Sequence, residues 1–134
     1  MIVHSSLNSA FHTRQRMQGH LFGLSRHERP GCAMTCDCLQ NFDGCHDTFV
    51  FLAPLQGGDA MLEQISFRLG GLWGSENRFL WEARAANPNV LISNPCKTLR
   101  MEHLHCVAKG EFRPSQDQRR VNLQRSLAPG PGFL

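Results

Sequence analysis

No apolar run in this sequence is long enough to cross a bilayer. The longest, Phe49–Leu55, is seven residues and contains Pro54, against roughly 20 residues for a spanning helix. The opening residues, MIVHSSLNSAFHTR, lack the basic segment and long apolar core of a secretory signal. A soluble, intracellular chain is the expectation. Charge runs are also missing: Lys/Arg clustering stops at the pair Arg119–Arg120, and the aromatics are not interleaved with basic residues. That argues against nucleic acid as a partner. The sequence has no internal repeat and no pair of Cys-x2-Cys knuckles, so the common zinc ribbons are excluded.

What is present fits one ordinary domain. The chain has 134 residues, 41% of them apolar and 19% charged, enough to bury a core and too apolar for wholesale disorder. The net charge of +3 is unevenly placed. Residues 1–67 carry four basic and six acidic groups, and residues 68–134 carry ten and five. An acidic ligand or partner suits the C-terminal half.

The six cysteines stand at 32, 36, 38, 45, 96 and 106, with His46 directly after the fourth. With no export signal, ordinary loop thiols are the expectation; zinc on the Cys32–His46 cluster is the alternative, since thiolate and imidazole are its preferred ligands.

Periodicity places the elements coarsely. A short helix is read over Leu7–Met17 and a short strand over His20–Ser25, interrupted by Gly23. A polar, Cys- and Gly-rich loop runs from Arg26 to Cys45. Asp47–Leu52 is apolar on both faces, as in a covered strand. Residues 61–69 fit either a short strand or a helical turn, and Gly70–Gly74 fits a flexible turn. The clearest element is a helix from Ser75 to Ala86, with Ser75 as N-cap, Glu76 in the first turn, and Phe79, Leu80, Ala83 and Ala86 on its apolar side. Val90–Ser93 is a short strand. In Thr98–Cys106, Leu99, Met101, His103 and His105 share one face of an extended segment. The polar, basic stretch after Gly110 reads as disordered, or as docking only with a partner.

Five segments then stand in a familiar order. They are Leu24-Ser25-Arg26-His27-Glu28; Cys45-His46-Asp47-Thr48-Phe49-Val50-Phe51; Gly74-Ser75-Glu76-Asn77-Arg78-Phe79-Leu80-Trp81-Glu82; Ser93-Asn94-Pro95-Cys96-Lys97-Thr98-Leu99-Arg100; and His103-Leu104-His105. Over residues 21–110 the chain resembles the C-terminal half of a family of GT-A-type glycosyltransferases, the nucleotide-diphospho-sugar transferase fold. The resemblance implies an α/β fold, here a partial, truncated GT-A-like domain with a small mixed sheet and few helices. Residues 1–20 become a remnant of the upstream nucleotide-binding segment, and 111–134 a flexible basic tail.

The implied chemistry is transfer of a sugar from a nucleotide-diphosphate donor to a hydroxyl acceptor. Such a reaction needs a divalent metal, Mn²⁺ or Mg²⁺, on the leaving diphosphate. An inverting enzyme also needs a carboxylate base at the acceptor hydroxyl. The resemblance makes Glu76 the candidate base, Asp47, Asn77 and Arg78 substrate-binding residues, and His103 and His105 metal ligands. Glu76 stands where the family has Asp. Asn8 and His12 occupy the places of the family's upstream carboxylates, a poor donor set for a hard cation. The expected function is therefore a glycosyltransferase-like domain, degenerate or inactive by itself. The alternative is a non-catalytic zinc- or partner-binding module built on the Cys32–His46 cluster and the basic tail.

Overall fold

The computed structural model describes residues 2–3, 17–32, 37–40, 42, 44–55, 58–66, 74–102, 104 and 124–132. In chain order these form β1 (Ile2–Val3), β2 (His20–Leu24), β3 (Thr48–Phe51), α1 (Gly58–Gln64), α2 (Ser75–Ala86), β4 (Leu91–Ser93) and β5 (Met101–Glu102). The result is a small mixed α/β arrangement. One sheet has the strand order β3-β2-β4, and β1 pairs with β5 in a second, two-stranded sheet. Among the described residues no helix is long and apolar enough to cross a membrane.

β2 takes the centre because it is apolar on both faces: Leu21, Phe22 and Leu24 are all buried. β3 lies antiparallel to it, with Leu21 opposite Phe51 and Gly23 opposite Phe49. β4 lies parallel, with Leu21 opposite Ile92. A parallel neighbour requires a crossover, and α2 carries the chain back to the start of β4.

The pleat of β2 sorts the core into two clusters. On one face Leu21 meets Phe79, Leu80 and Ala83 of α2 together with Met61 of α1 and Val90. On the other, Phe22 and Leu24 meet Met17, Leu99 and Met101. Each fully buried Leu or Phe contributes about 1.5–3 kcal/mol. Gly23, which weakens β2 as a strand, is what lets α2 approach. A Cβ there would stand 3.0 Å from Leu80 Cδ1 and 3.2 Å from His46 Cδ2.

Several expectations are corrected. α2 spans Ser75–Ala86 as read, but its N-cap is Gly74 at φ 82°, with no side-chain cap bond. Only glycine adopts that left-handed turn at no steric cost, so Ser75 enters the helix and is fully buried. Ala86 is exposed, whereas Arg78 and Glu82 are buried. For the stretch 61–69, read as strand or helical turn, the helical alternative holds at 61–64, inside a helix that begins earlier, at Gly58, while 67–69 lie outside the described residues. The extended segment begins at Met101, because Thr98 and Leu99 both donate their N–H to the Pro95 carbonyl in a turn. Among the described residues no loop thiols are found: Cys38 is bonded to Cys96, and Cys32 and Cys45 are also disulfide-bonded. Finally, residues 124–132 are seated on the body. Leu127 packs against the α2 core cluster, and its N–H donates to the Asn77 carbonyl at 3.1 Å. The helix read over residues 7–17 lies outside the described residues, Met17 excepted.

Candidate functional site

Because β2 and β4 are parallel, Ser25 and Asn94 emerge side by side, each just past the carboxyl end of its strand. β3 is antiparallel, so Cys45-His46-Asp47, which precede it, reach the same edge. The first turn of α2 reaches it as well. In α/β folds this carboxyl edge is where ligands are bound.

Hydrogen bonds tie the segments together. Ser25 N–H donates to Asn94 Oδ1 at 3.1 Å, and Asn94 Nδ2 donates to Ser25 Oγ at 2.9 Å. Ser25 Oγ in turn donates to the Cys45 carbonyl at 2.6 Å. Asp47 N–H donates to the Leu24 carbonyl at 3.0 Å. His46 is fully buried. Its Nδ1 lies 3.0 Å from Asn77 Oδ1 and its Nε2 3.3 Å from the Pro129 carbonyl. Burial holds the imidazole below its ordinary pKa, partly offset by the Asn77, Pro129 and Gly44 oxygens and by the Asp47 charge. The ring is therefore neutral at neutral pH.

Two sets of paired charges stand beside this cluster. Arg26 bridges Glu28, at 2.5 Å, and Asp47, at 2.8 Å. Glu82, buried on α2, accepts from Arg78 Nε one turn earlier and from Arg125 at 2.8 Å. Arg125 also lies 4.6 Å above the Trp81 ring, within cation–π range.

A second knot braces the loop between β2 and β3. His27 Nε2 donates to the Cys96 carbonyl at 2.8 Å, next to the Cys38–Cys96 disulfide. Asp37 accepts three backbone N–H groups, from Glu28, Leu39 and Gln40. Burial raises its pKa, but those three bonds and nearby His27 outweigh it, so the carboxyl sits below its ordinary value.

Of the residues singled out from sequence, Asp47 is at the edge and engaged with Arg26. Asn77 meets His46. Glu76 is half-buried in the first turn of α2 beside Asn77. Arg78 turns away from the edge toward Glu82. His103 and His105 lie outside the described residues, as do Asn8 and His12. Among the described residues, no group of three or more His, Cys, Asp or Glu is arranged to hold a metal ion. A disulfide sulfur is not a thiolate ligand, and Cys32, Cys38 and Cys45 are all in disulfides. The zinc alternative loses those three donors.

Ser25, His46 and Asn94 carry the cluster, yet sequence reasoning gave Ser25 and Asn94 no role and His46 only a place in the zinc alternative. Their one legible signal is position, a polar residue directly after or before an apolar strand. No protein-family model, no curated protein and no solved structure matches the chain.

Proposed function

We propose that this chain is a glycosyltransferase-like α/β unit, with sugar transfer from a nucleotide-diphosphate donor to a hydroxyl acceptor as its parent chemistry. One observation carries the reading. Four separated segments that resemble the GT-A family, at 24–28, 45–51, 74–82 and 93–100, meet at the carboxyl edge of β2 and β4. Sequence order alone does not require that meeting, whereas a shared substrate edge does.

In this reading Glu76 is the base that takes the acceptor hydroxyl proton. Asn77 and Asp47 orient hydroxyl groups, and Arg78 acts through Glu82. A divalent metal would neutralise the departing diphosphate. The described residues do not assemble a donor set for it, so no step here is routed through one. Transfer by the chain alone is accordingly expected to be slight. The Cys38–Cys96 disulfide supports folding in an oxidising compartment rather than the intracellular location first expected.

The test joins the chain to the upstream half of a GT-A enzyme whose acidic motif is intact. Calorimetry with nucleotide-diphosphate sugar and a transfer assay are run with and without Mn²⁺. Metal-dependent transfer is expected, abolished by Glu76→Gln with donor binding nearly unchanged, because a base acts on the acceptor. Full transfer by the Gln variant removes Glu76 from its role. A folded fusion that neither binds donor nor transfers sugar refutes the reading.

A further inference from the structure

The polar cluster is covered by the chain's own C-terminal segment. Pro129 presents its carbonyl to both His46 Nε2, at 3.3 Å, and Asn94 Nδ2, at 3.4 Å. A carbonyl only accepts, so Asn94 Nδ2 donates to it, and the neutral His46 ring donates to the same oxygen in its Nε2–H tautomer. Bonds inside the cluster are shorter, from 2.6 to 3.1 Å. The contact to Pro129 is thus the weak outer layer of a tight network.

The covering segment is held by Leu127 on the α2 cluster and by Arg125 on Glu82, Gln64 and the Trp81 ring, yet every residue from 124 to 132 is half-buried or exposed. Pro129 and Pro131 have no N–H. Its backbone contacts with the body include Leu127 N–H to the Asn77 carbonyl, Gly132 N–H to the Asn94 carbonyl at 2.8 Å, and a parallel bridge between Pro131 and Asn94. Its charged anchor, Arg125 on Glu82, is 38% exposed, and Glu82 keeps Arg78 when Arg125 leaves.

We propose that residues 124–132 form a displaceable strap. It opens without unfolding the body and uncovers His46 and Asn94, whose two donors then take an acceptor oxygen of a ligand in place of the Pro129 carbonyl. That this oxygen belongs to a sugar hydroxyl rests on the sugar-transfer reading; the opening itself does not. The strap closes the edge in the free protein, so apparent ligand affinity is reduced by the fraction closed.

The experiment uses the full chain and two readouts, neither involving sugar or nucleotide. In hydrogen exchange, the Leu127 and Gly132 amides should exchange about 100-fold faster than those of β2. Arg125→Ala, or higher ionic strength on the unmodified chain, should speed their exchange further while leaving β2 unchanged. In parallel, diethyl pyrocarbonate should modify His46 roughly tenfold faster in Arg125→Ala, because modification reports the open fraction. Strap amides that exchange only in step with β2 would overturn the proposal. So would His46 modification that does not follow the strap's opening. Either result leaves the sugar-transfer reading standing, and absence of donor binding leaves the strap standing.

Discussion

Ser25 and Asn94 lie 69 residues apart in sequence and exchange two hydrogen bonds, each supplying one donor and one acceptor. Both residues are almost completely buried. The pair locks the carboxyl ends of β2 and β4 at one separation and fixes the floor on which His46 and the strap rest.

Asn94→Ala strands the buried Ser25 N–H and frees the Ser25 hydroxyl of its Nδ2 donor. A loss of about 3 kcal/mol is expected, since an unsatisfied buried group costs its full desolvation penalty. Urea unfolding under non-reducing conditions measures it, and a loss under about 1 kcal/mol would mean water replaces the amide.

Gly23→Ala places a methyl 3.0 Å from Leu80 Cδ1, in a side chain with no exposed surface. The expected cost is about 2 kcal/mol of overpacking. Relief in the double variant Gly23→Ala, Leu80→Ala, beyond the sum of the single effects, identifies that contact as the cause.

The same glycine shows how far sequence reasoning reaches. β2, β3, α2 and β4 follow from runs of apolar, β-branched and aromatic residues, and their existence was legible. Gly23 read locally as a flaw in a strand; only the approach of Leu80 from 57 residues away gives it a purpose. The cap failed for a related reason. Ser75 is the better side-chain cap, but the backbone turns at Gly74, and a buried Ser75 is set by tertiary packing. The disulfide partners were beyond reach because pairing depends on where the fold carries Cys96 relative to Cys38. Docking of 124–132 left no periodic trace, since it rests on backbone groups, one arginine and the single apolar side chain of Leu127.

His46 supplies a pH dependence. Its folded pKa is lowered from 6.5, so between the folded value and 6.5 the unfolded chain binds more protons than the native one. Stability therefore falls as pH drops from neutrality through the folded pKa, then levels off. Chemical denaturation across that window should show the slope, and His46→Gln should flatten it. An unchanged slope in the variant would assign it to another group.

The Cys38–Cys96 bridge closes a separation of 58 residues. Chain-entropy arguments give about 4 kcal/mol for a loop of that length. The paired variant Cys38→Ser, Cys96→Ser should lose about that much in denaturant unfolding, and a loss near zero would show that the bridge adds nothing to the His27 and Asp37 contacts beside it.

The central claim is that the carboxyl edge of β2 and β4 receives a nucleotide-diphosphate sugar. The most direct measurement is a backbone-amide NMR titration of the full chain with such a donor in Mg²⁺. The account predicts saturable shifts at Ser25, His46, Asp47, Asn77 and Asn94, with saturation at lower donor concentration in Arg125→Ala. Shifts confined to other surfaces, or none at donor saturation of a control glycosyltransferase, would contradict it.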